Sequence, residues 1–338
     1  MSTAPRPEVD LGGSNTLRLP CVAEWCADVE AVSDLPGLIE FAREGALPVH
    51  VLGGGSNVVL PERLPGLVLR MRSRGIACED ETTAGRVVRV AAGEAWHPFV
   101  LHCHAQGWHG LENLALIPGA VGAAPVQNIG AYGVELARFV REVRGIDLHT
   151  GEPRVMAAAA CGFAYRDSIF KGALAGCFLI TEVLFDLPRD ASPCKDYPAL
   201  AAELASVAEP GPGEVLAAVM AIRSRRLPDP AVLPNAGSFF KNPLVSAEEL
   251  PRLQNVDPGI VHWPQPDGRV KLAAAWLVDR CGWKGLRADG VGVHEAQALV
   301  LVNHGGGTRA ALLGLAERIV ASVQARFGVT LEPEPVLF

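Results

Sequence analysis

With 338 residues, 49% of them hydrophobic and 20% charged, the chain is long enough for two or three cores and too apolar to be disordered. Thirty-seven acids against 30 bases give a formal charge of −7, which argues against nucleic acid as a partner but leaves room for a local basic pocket around an anionic small molecule. Eight cysteines without a C-x-x-C pair suit reduced thiols, no apolar run approaches the roughly 18 residues of a membrane span, and the N-terminal residues read as a flexible lead-in without a signal core, so a cytoplasmic protein is expected.

In chain order, Ser33 is expected to cap a short helix whose apolar positions are Leu35, Leu38, Ile39 and Ala42, with Gly45 ending it. Pro48–Leu52 reads as a strand, followed by the turn Gly53-Gly-Gly-Ser-Asn57 and a second strand, Val58–Leu60. Val87–Ala91 reads as another strand and Glu94–Gln106 as a helix. Between Phe139 and Leu187, β-branched runs alternate with turns as in an antiparallel sheet. Pro210 opens a helix to about Arg225, and Leu227-Pro-Asp-Pro230 stops it at the main expected boundary. Val270–Cys281 reads as a helix, Ala298–Asn303 as a buried strand, and Thr308–Phe327 as an amphipathic helix ended by Gly328. The fold class is α+β, with separate sheets and no long alternating βα run.

The most informative stretch is Leu114–Gly133, with four glycines, two prolines and no charge. A chain that keeps turning while staying apolar lies against something flat and buried. Its glycines let backbone N–H groups approach phosphate oxygens. A compact core loop is the other reading. Gly53-Gly-Gly-Ser-Asn57 fails the Rossmann pattern, because the third glycine of G-x-G-x-x-G would fall at Val58. It is either a nest for a pyrophosphate, with Ser56 and Asn57 as added donors, or a plain hairpin turn.

Arg166, in Ala164-Tyr-Arg-Asp-Ser168, ends a nearly charge-free stretch and is either paired, with Asp167 or another acid, or placed for a carboxylate. Asn235-Ala-Gly-Ser-Phe-Phe-Lys-Asn-Pro243 presents Ser238 at a turn between apolar walls, and it lacks the G-x-S-x-G of a hydrolase. The tail Leu331–Phe338 alternates acids with prolines and finishes apolar, which suggests docking with Glu332 or Glu334 in a buried place. No metal site is expected. His97, His102, His104 and His109 read as solvated or core-satisfied, since His102 and His104, two apart on a helix, face different directions.

These motifs, with Arg226-Leu-Pro-Asp-Pro230, follow one another in the order seen in the UDP-N-acetylenolpyruvoylglucosamine reductases, flavoenzymes of bacterial peptidoglycan synthesis, and the chain resembles that family from about Asn15 to Phe338. The resemblance implies an FAD-binding domain of the vanillyl-alcohol-oxidase type made of two α+β subdomains, 1–70 and 71–227, plus an α+β substrate-binding domain at 228–328, with the tail 329–338 docking back on the second subdomain. It implies FAD held by Gly53, Gly54, Gly55, Ser56, Asn57, Pro118, Gly119, Gly122, Asn128, Gly130, Ala131 and Tyr132. NADPH would reduce the flavin, leave and be replaced by a UDP-sugar, whose enolpyruvyl ether would be reduced to a lactyl ether. Hydride would pass from flavin N5 to the β-carbon, Arg166 and Glu334 would hold the carboxylate, and Ser238 would protonate the α-carbon. Substrate contacts implied are Tyr197, the loop tyrosine of the longer-form enzymes, with Arg226, Asn242, Lys271 and Gln297.

The chain departs from the family pattern with Arg226 for a lysine, Trp263 for a tyrosine and Ala123-Ala124 for hydroxyl residues. A monomer is expected, with weak self-association as the alternative, in contact with neither nucleic acid nor membrane. The competing readings are a flavin oxidase of the same fold acting on an alcohol and a non-catalytic nucleotide-binding protein.

Overall fold

The computed structural model describes residues 4–338, and the first three residues of the expected lead-in lie outside it. The chain forms two compact units, each assembled from separate segments. The first comprises the residues up to Asp10, Val22–Gly55 and Arg63–Arg225; the second comprises Leu11–Cys21, Ser56–Glu62 and Arg226–Phe338.

In the first unit a four-stranded and a five-stranded sheet frame one apolar core. In one sheet the strands run in the order Arg6–Asp10, Val22–Val29, Arg63–Met71 and Val49–Leu52; the first pair is antiparallel and the others are parallel. The expected lead-in is therefore partly a strand. Arg6–Asp10 is an almost wholly exposed edge, so it has no apolar alternation by which to announce itself. The other sheet is antiparallel, in the order Pro153–Ala157, Val140–Asp147, Phe178–Pro188, Gly85–Ala91 and Ile76–Glu81. The helices Leu35–Glu44 and Trp96–Ala105 bury apolar faces in the same core, where Trp96, Phe99 and Phe185 meet edge-on or tilted. Ser33 does not cap the first of these helices. It lies within a single 3₁₀ turn, Val32–Asp34, where the Asp34 carboxylate accepts the Ala31 N–H at 3.1 Å.

The second unit is also α+β. One sheet orders Asn235–Ser238, Val300–Asn303, Val291–Val293 and Arg287–Ala288, and another orders Leu244–Val245, Val270–Leu272 and His262–Pro264. The long helix Arg309–Phe327 begins at Thr308, whose hydroxyl accepts the Ala311 N–H at 3.1 Å, and ends at Gly328 in the left-handed region. The expected helix Val270–Cys281 is half wrong. Val270–Leu272 is the central strand of the three-stranded sheet, Ala273 stays extended, and the helix is only Ala274–Arg280.

Val58–Val59 is likewise not the return strand of a small hairpin. It pairs in parallel with Val336–Leu337, so the tail groups with 226–328 rather than with 71–227. Leu17, Leu19 and Val59 share one core with Phe239, Phe327 and Leu331. The buried Asn303 fastens the early segment by donating to the Leu17 carbonyl at 2.9 Å while its own oxygen accepts the N–H groups of Gly305 and Gly307. Among the described residues no helix is long and apolar enough to cross a membrane.

Candidate active site

In the first unit the two glycine-rich segments meet. A Cβ at Gly54 would lie 2.8 Å from Gly119 Cα and 3.1 Å from its carbonyl carbon, so the backbones touch where only glycine fits. A Cβ at Gly53 would meet the Ala123 methyl at 3.3 Å, a tight but side-chain contact. Gly122 is pinned to the neighbouring sheet end, its N–H donating to the Ala92 carbonyl at 2.9 Å, and a Cβ there would strike Ala92. Pro118 sits between Leu116, at φ 56°, and Gly119, at φ 124°, in the sharpest part of the run.

The helix Trp96–Ala105 holds the start of this run: Trp96 Nε1 donates to the Leu114 carbonyl at 2.8 Å, and His97 Nδ1 accepts the Leu116 N–H at 3.1 Å. That acceptor role requires a neutral ring. Burial, with the Arg223 charge adding to it, pushes His97 below the ordinary histidine value. A histidine kept neutral contributes stability above its unfolded value of about 6.5, and that contribution is lost as pH falls from there towards the lower native value. Thermal unfolding followed at pH about 7.5 and 5 should show this loss, and His97→Gln, an acceptor that does not titrate, should reduce it. An unchanged pH dependence in His97→Gln would remove His97 as its source.

At the far end, Gly130–Ala131 and Val134–Glu135 form a short hairpin whose two central residues, Tyr132 and Gly133, both have positive φ, as a type I′ turn requires. Asn128, fully buried at φ 44°, donates to the Glu135 carboxylate and the Ala164 carbonyl and accepts the Ala137 N–H. Its side chain thereby ties the glycine run to the turn that carries Arg166. In that turn Ala164 and Asp167 exchange backbone hydrogen bonds, and Arg166 is held at φ 56°, a conformation that L-residues other than asparagine and aspartate seldom adopt. Its Nη2 donates to the Gly130 carbonyl at 2.6 Å, and its guanidinium lies 5.1 Å from the centre of the Tyr165 ring. The Asp167 carboxylate accepts the Ser168 N–H at 2.9 Å.

Arg223, unmarked among the site residues expected from the sequence, is a second cation beside Arg166 and Tyr132. Part of its side chain reaches solvent, but its Nε is enclosed without a hydrogen-bond partner. Burial pushes the guanidinium below the ordinary arginine range, the bonded Tyr132 hydroxyl opposes that shift, and the Arg166 charge adds to it. The Tyr132 ring meets Tyr197 edge-on at 5.3 Å. Side-chain-free backbone beside two cations and a tyrosine fits a large anionic cofactor with an aromatic plane. Only its place in Arg223-Ser-Arg-Arg226 marks Arg223 in the sequence, and nothing there separates it from its neighbours.

Ser238 lies in the second unit, at the end of Asn235–Ser238, just after Gly237 at φ 69°. Asn235, buried, builds that turn: its amide donates to the Leu233 and Pro228 carbonyls at 2.8 and 3.1 Å, and its oxygen accepts the Gly237 N–H at 2.9 Å. Asn235→Ala should cost about 2–4 kcal/mol from the lost bonds and stranded carbonyls, read by denaturant unfolding. A loss under about 1 kcal/mol would mean that the turn stands without it.

The tail runs beside this turn. Lys241 N–H donates to the Glu332 carbonyl and Glu334 N–H to the Phe239 carbonyl, each at 2.9 Å, so Glu334 stands across from the residue next to Ser238. Of the two tail acids, Glu332 is exposed and pairs with Lys241, whereas Glu334 is half-buried. Asn57 belongs to this arrangement, its carbonyl accepting the Val336 N–H at 3.0 Å and its amide reaching the Glu334 carbonyl at 3.4 Å. Ser56 and Asn57 thus fall in the second unit, and Gly53–Gly55 in the first.

The remaining substrate candidates are scattered by comparison. Asn242 accepts the Ala274 N–H at the start of a helix. Lys271 is central in its sheet, in register with Leu244 and Trp263, between the buried Val270 and Leu272. Gln297 is half-buried, with its carbonyl accepting from Val300; Arg226 is exposed at the end of its helix; and Tyr197 is exposed and leads into Pro198–Glu203.

An α+β pair of units, one with a glycine cradle suited to a phosphate-bearing cofactor and the other with a turn-borne serine, fits a cofactor-dependent enzyme. The FAD binding domain family matches residues 25–156, and the C-terminal domain of UDP-N-acetylenolpyruvoylglucosamine reductase matches residues 229–338. The UDP-N-acetylenolpyruvoylglucosamine reductase of Ralstonia nicotianae is 49% identical over 98% of both chains, and that of Pseudomonas fluorescens is 47% identical over 99% of both. The crystal structure of the Thermus caldophilus enzyme, 25% identical, superposes with a TM-score of 0.65 and covers 100% of this chain and 99% of its own. The chain belongs to the UDP-N-acetylenolpyruvoylglucosamine reductase family and is an FAD-containing oxidoreductase.

Proposed function

We propose that this enzyme uses NADPH to reduce UDP-N-acetyl-3-O-(1-carboxyvinyl)-glucosamine to UDP-N-acetylmuramate, as a cytoplasmic monomer serving peptidoglycan synthesis and, through it, cell shape and division. The observation that carries the reading is the Ser238 turn, clamped by Asn235 and flanked by Glu334, since binding alone needs no such proton donor. Gly53–Gly55, Pro118, Gly119, Gly122, Gly130, Ala131 and Tyr132 hold the cofactor, and Asn128 acts by fixing their loop. Bound FAD supplies the hydride that the β-carbon of the enolpyruvyl group receives.

Reduction at the β-carbon drives negative charge onto the α-carbon and the conjugated carboxylate. Arg166, whose planar guanidinium matches a carboxylate, holds that group as the charge develops. Ser238 gives a proton to the α-carbon: a serine is a feeble acid in water, but an enolate is a strong base and placement does the rest. Glu334 supports the carboxylate or shares a proton there. Tyr197, Arg226, Asn242, Lys271 and Gln297 contact the nucleotide, Arg226 as a planar fork on phosphate where a lysine would act as a point charge.

Anaerobic stopped-flow absorbance tests the reading. NADPH should bleach the flavin and the enolpyruvyl UDP-sugar should restore it. Recovery with oxygen but not with the sugar would favour an oxidase, and a chain that takes up no flavin would favour a binding protein.

A further inference from the structure

The helix Trp96–Ala105 ends at Gln106, and positive-φ glycines at 107 and 110 reverse the chain so that His109 and Glu112 return against His104. Glu112 is 1% exposed. One of its oxygens, Oε2, accepts the Gly110 N–H at 2.7 Å, while Oε1 faces two imidazoles, with His109 Nδ1 at 2.9 Å and His104 Nδ1 at 3.6 Å. The longer separation is not a hydrogen bond, and His104 Nδ1 is enclosed without a hydrogen-bond partner. Two ring nitrogens and one carboxylate oxygen thus converge within 4.8 Å of one another, one of them orphaned in a buried place.

We propose that His104, His109 and Glu112 bind a divalent ion of the zinc class. The donor set is two imidazoles and a carboxylate, which such ions favour. Bonds of about 2.0–2.2 Å at tetrahedral angles put ligand atoms about 3.3 Å apart, so the His104–Glu112 separation already suits and the His109–Glu112 contact opens by a few tenths of an ångström. The ion gives the stranded His104 nitrogen a partner and neutralises the buried carboxylate. Both histidines remain partly exposed, which leaves water for the fourth position. From the sequence, His97, His102, His104 and His109 all read as solvated or core-satisfied. His102 in fact meets Trp108 edge-on, and the ligand that completes the set is a glutamate outside the run of histidines. The next residue, Asn113, donates to the Tyr132 and Cys194 carbonyls, so the ion would pin the root of the glycine run.

The test is titration of the FAD-loaded, metal-stripped enzyme with Zn²⁺ by calorimetry and with Co²⁺ by visible absorbance. One ion per chain is expected, with the intense bands of tetrahedral Co²⁺ and a zinc-dependent rise in thermal midpoint. His104→Ala should weaken binding by at least about 100-fold and abolish those bands, whereas His102→Ala should leave both unchanged. His104 is chosen because its ring is partly exposed; Glu112→Gln serves as a second probe if it folds. Absence of Co²⁺ bands, or zinc affinity equal in His104→Ala and the parent, would overturn the proposal.

Discussion

Ser238→Ala should leave the rate at which NADPH bleaches the flavin within about twofold of the parent and lower turnover by about 10²–10⁴-fold, the range for loss of a positioned proton donor. The loss should fall on kcat, with KM for the UDP-sugar little changed, because the hydroxyl acts where charge develops rather than where the nucleotide binds. Folding should be spared. The turn is made by Asn235 and Gly237 and the strand by backbone pairing with Val300, so none of the frame depends on the hydroxyl. A thermal midpoint equal to the parent's is therefore the control. Normal turnover in a folded Ser238→Ala would remove the serine from the mechanism, and slow flavin reduction would mean that it acts earlier.

The second large effect should come from a single methyl. Gly54→Ala places a Cβ 2.8 Å from Gly119 Cα, and the other near atoms are also backbone, so no side chain can swing aside. The two glycine segments must separate, at a cost of about 1–3 kcal/mol for an overpacked contact, and the cradle loses its shape. The expected protein is colourless or nearly so, with a flavin-to-protein absorbance ratio that added FAD does not restore, and it melts lower than the parent. Gly37→Ala is the matched control: it lies in the helix Leu35–Glu44 with nothing within 4 Å of the new Cβ, and should stabilise by about 0.5–1 kcal/mol. Full flavin content in Gly54→Ala would show that the two segments do not build the cradle together.

What the sequence reveals and conceals follows from where each signal is stored. The helix Arg309–Phe327 was legible because its cap, its apolar spacing and its terminal glycine all lie within one stretch. The glycine run was legible because charge is absent where a loop would normally carry it. Val270–Leu272 was not, since three apolar-flanked residues before an alanine-rich helix look like more helix until the strands at 244–245 and 262–264 are known. Arg6–Asp10 is a strand only by virtue of its partner; Val58–Val59 was legible as a strand, but not its partner at the opposite end of the chain. Arg223 and the His104–His109–Glu112 cluster were hidden for the same reason: orphaned nitrogens are properties of burial, which no spacing encodes.

The pairing of Val336–Leu337 with Val58–Val59 also sets a timetable for the ribosome. Residues 11–21 and 56–62 are made early but belong to a unit whose other segment, Arg226–Phe338, is translated last, and the Asn57–Glu334 contact alone joins positions 277 residues apart. The first unit has all its strands once about Arg225 has emerged, so it can condense while translation continues. The early segments of the second unit must remain unpaired until then, including the apolar Leu17, Leu19 and Val59. Contacts of such long sequence separation form slowly. A pause or truncation within the last third of the message therefore leaves a folded flavin-binding unit carrying two exposed apolar arms, the species that chaperones and proteases would meet first.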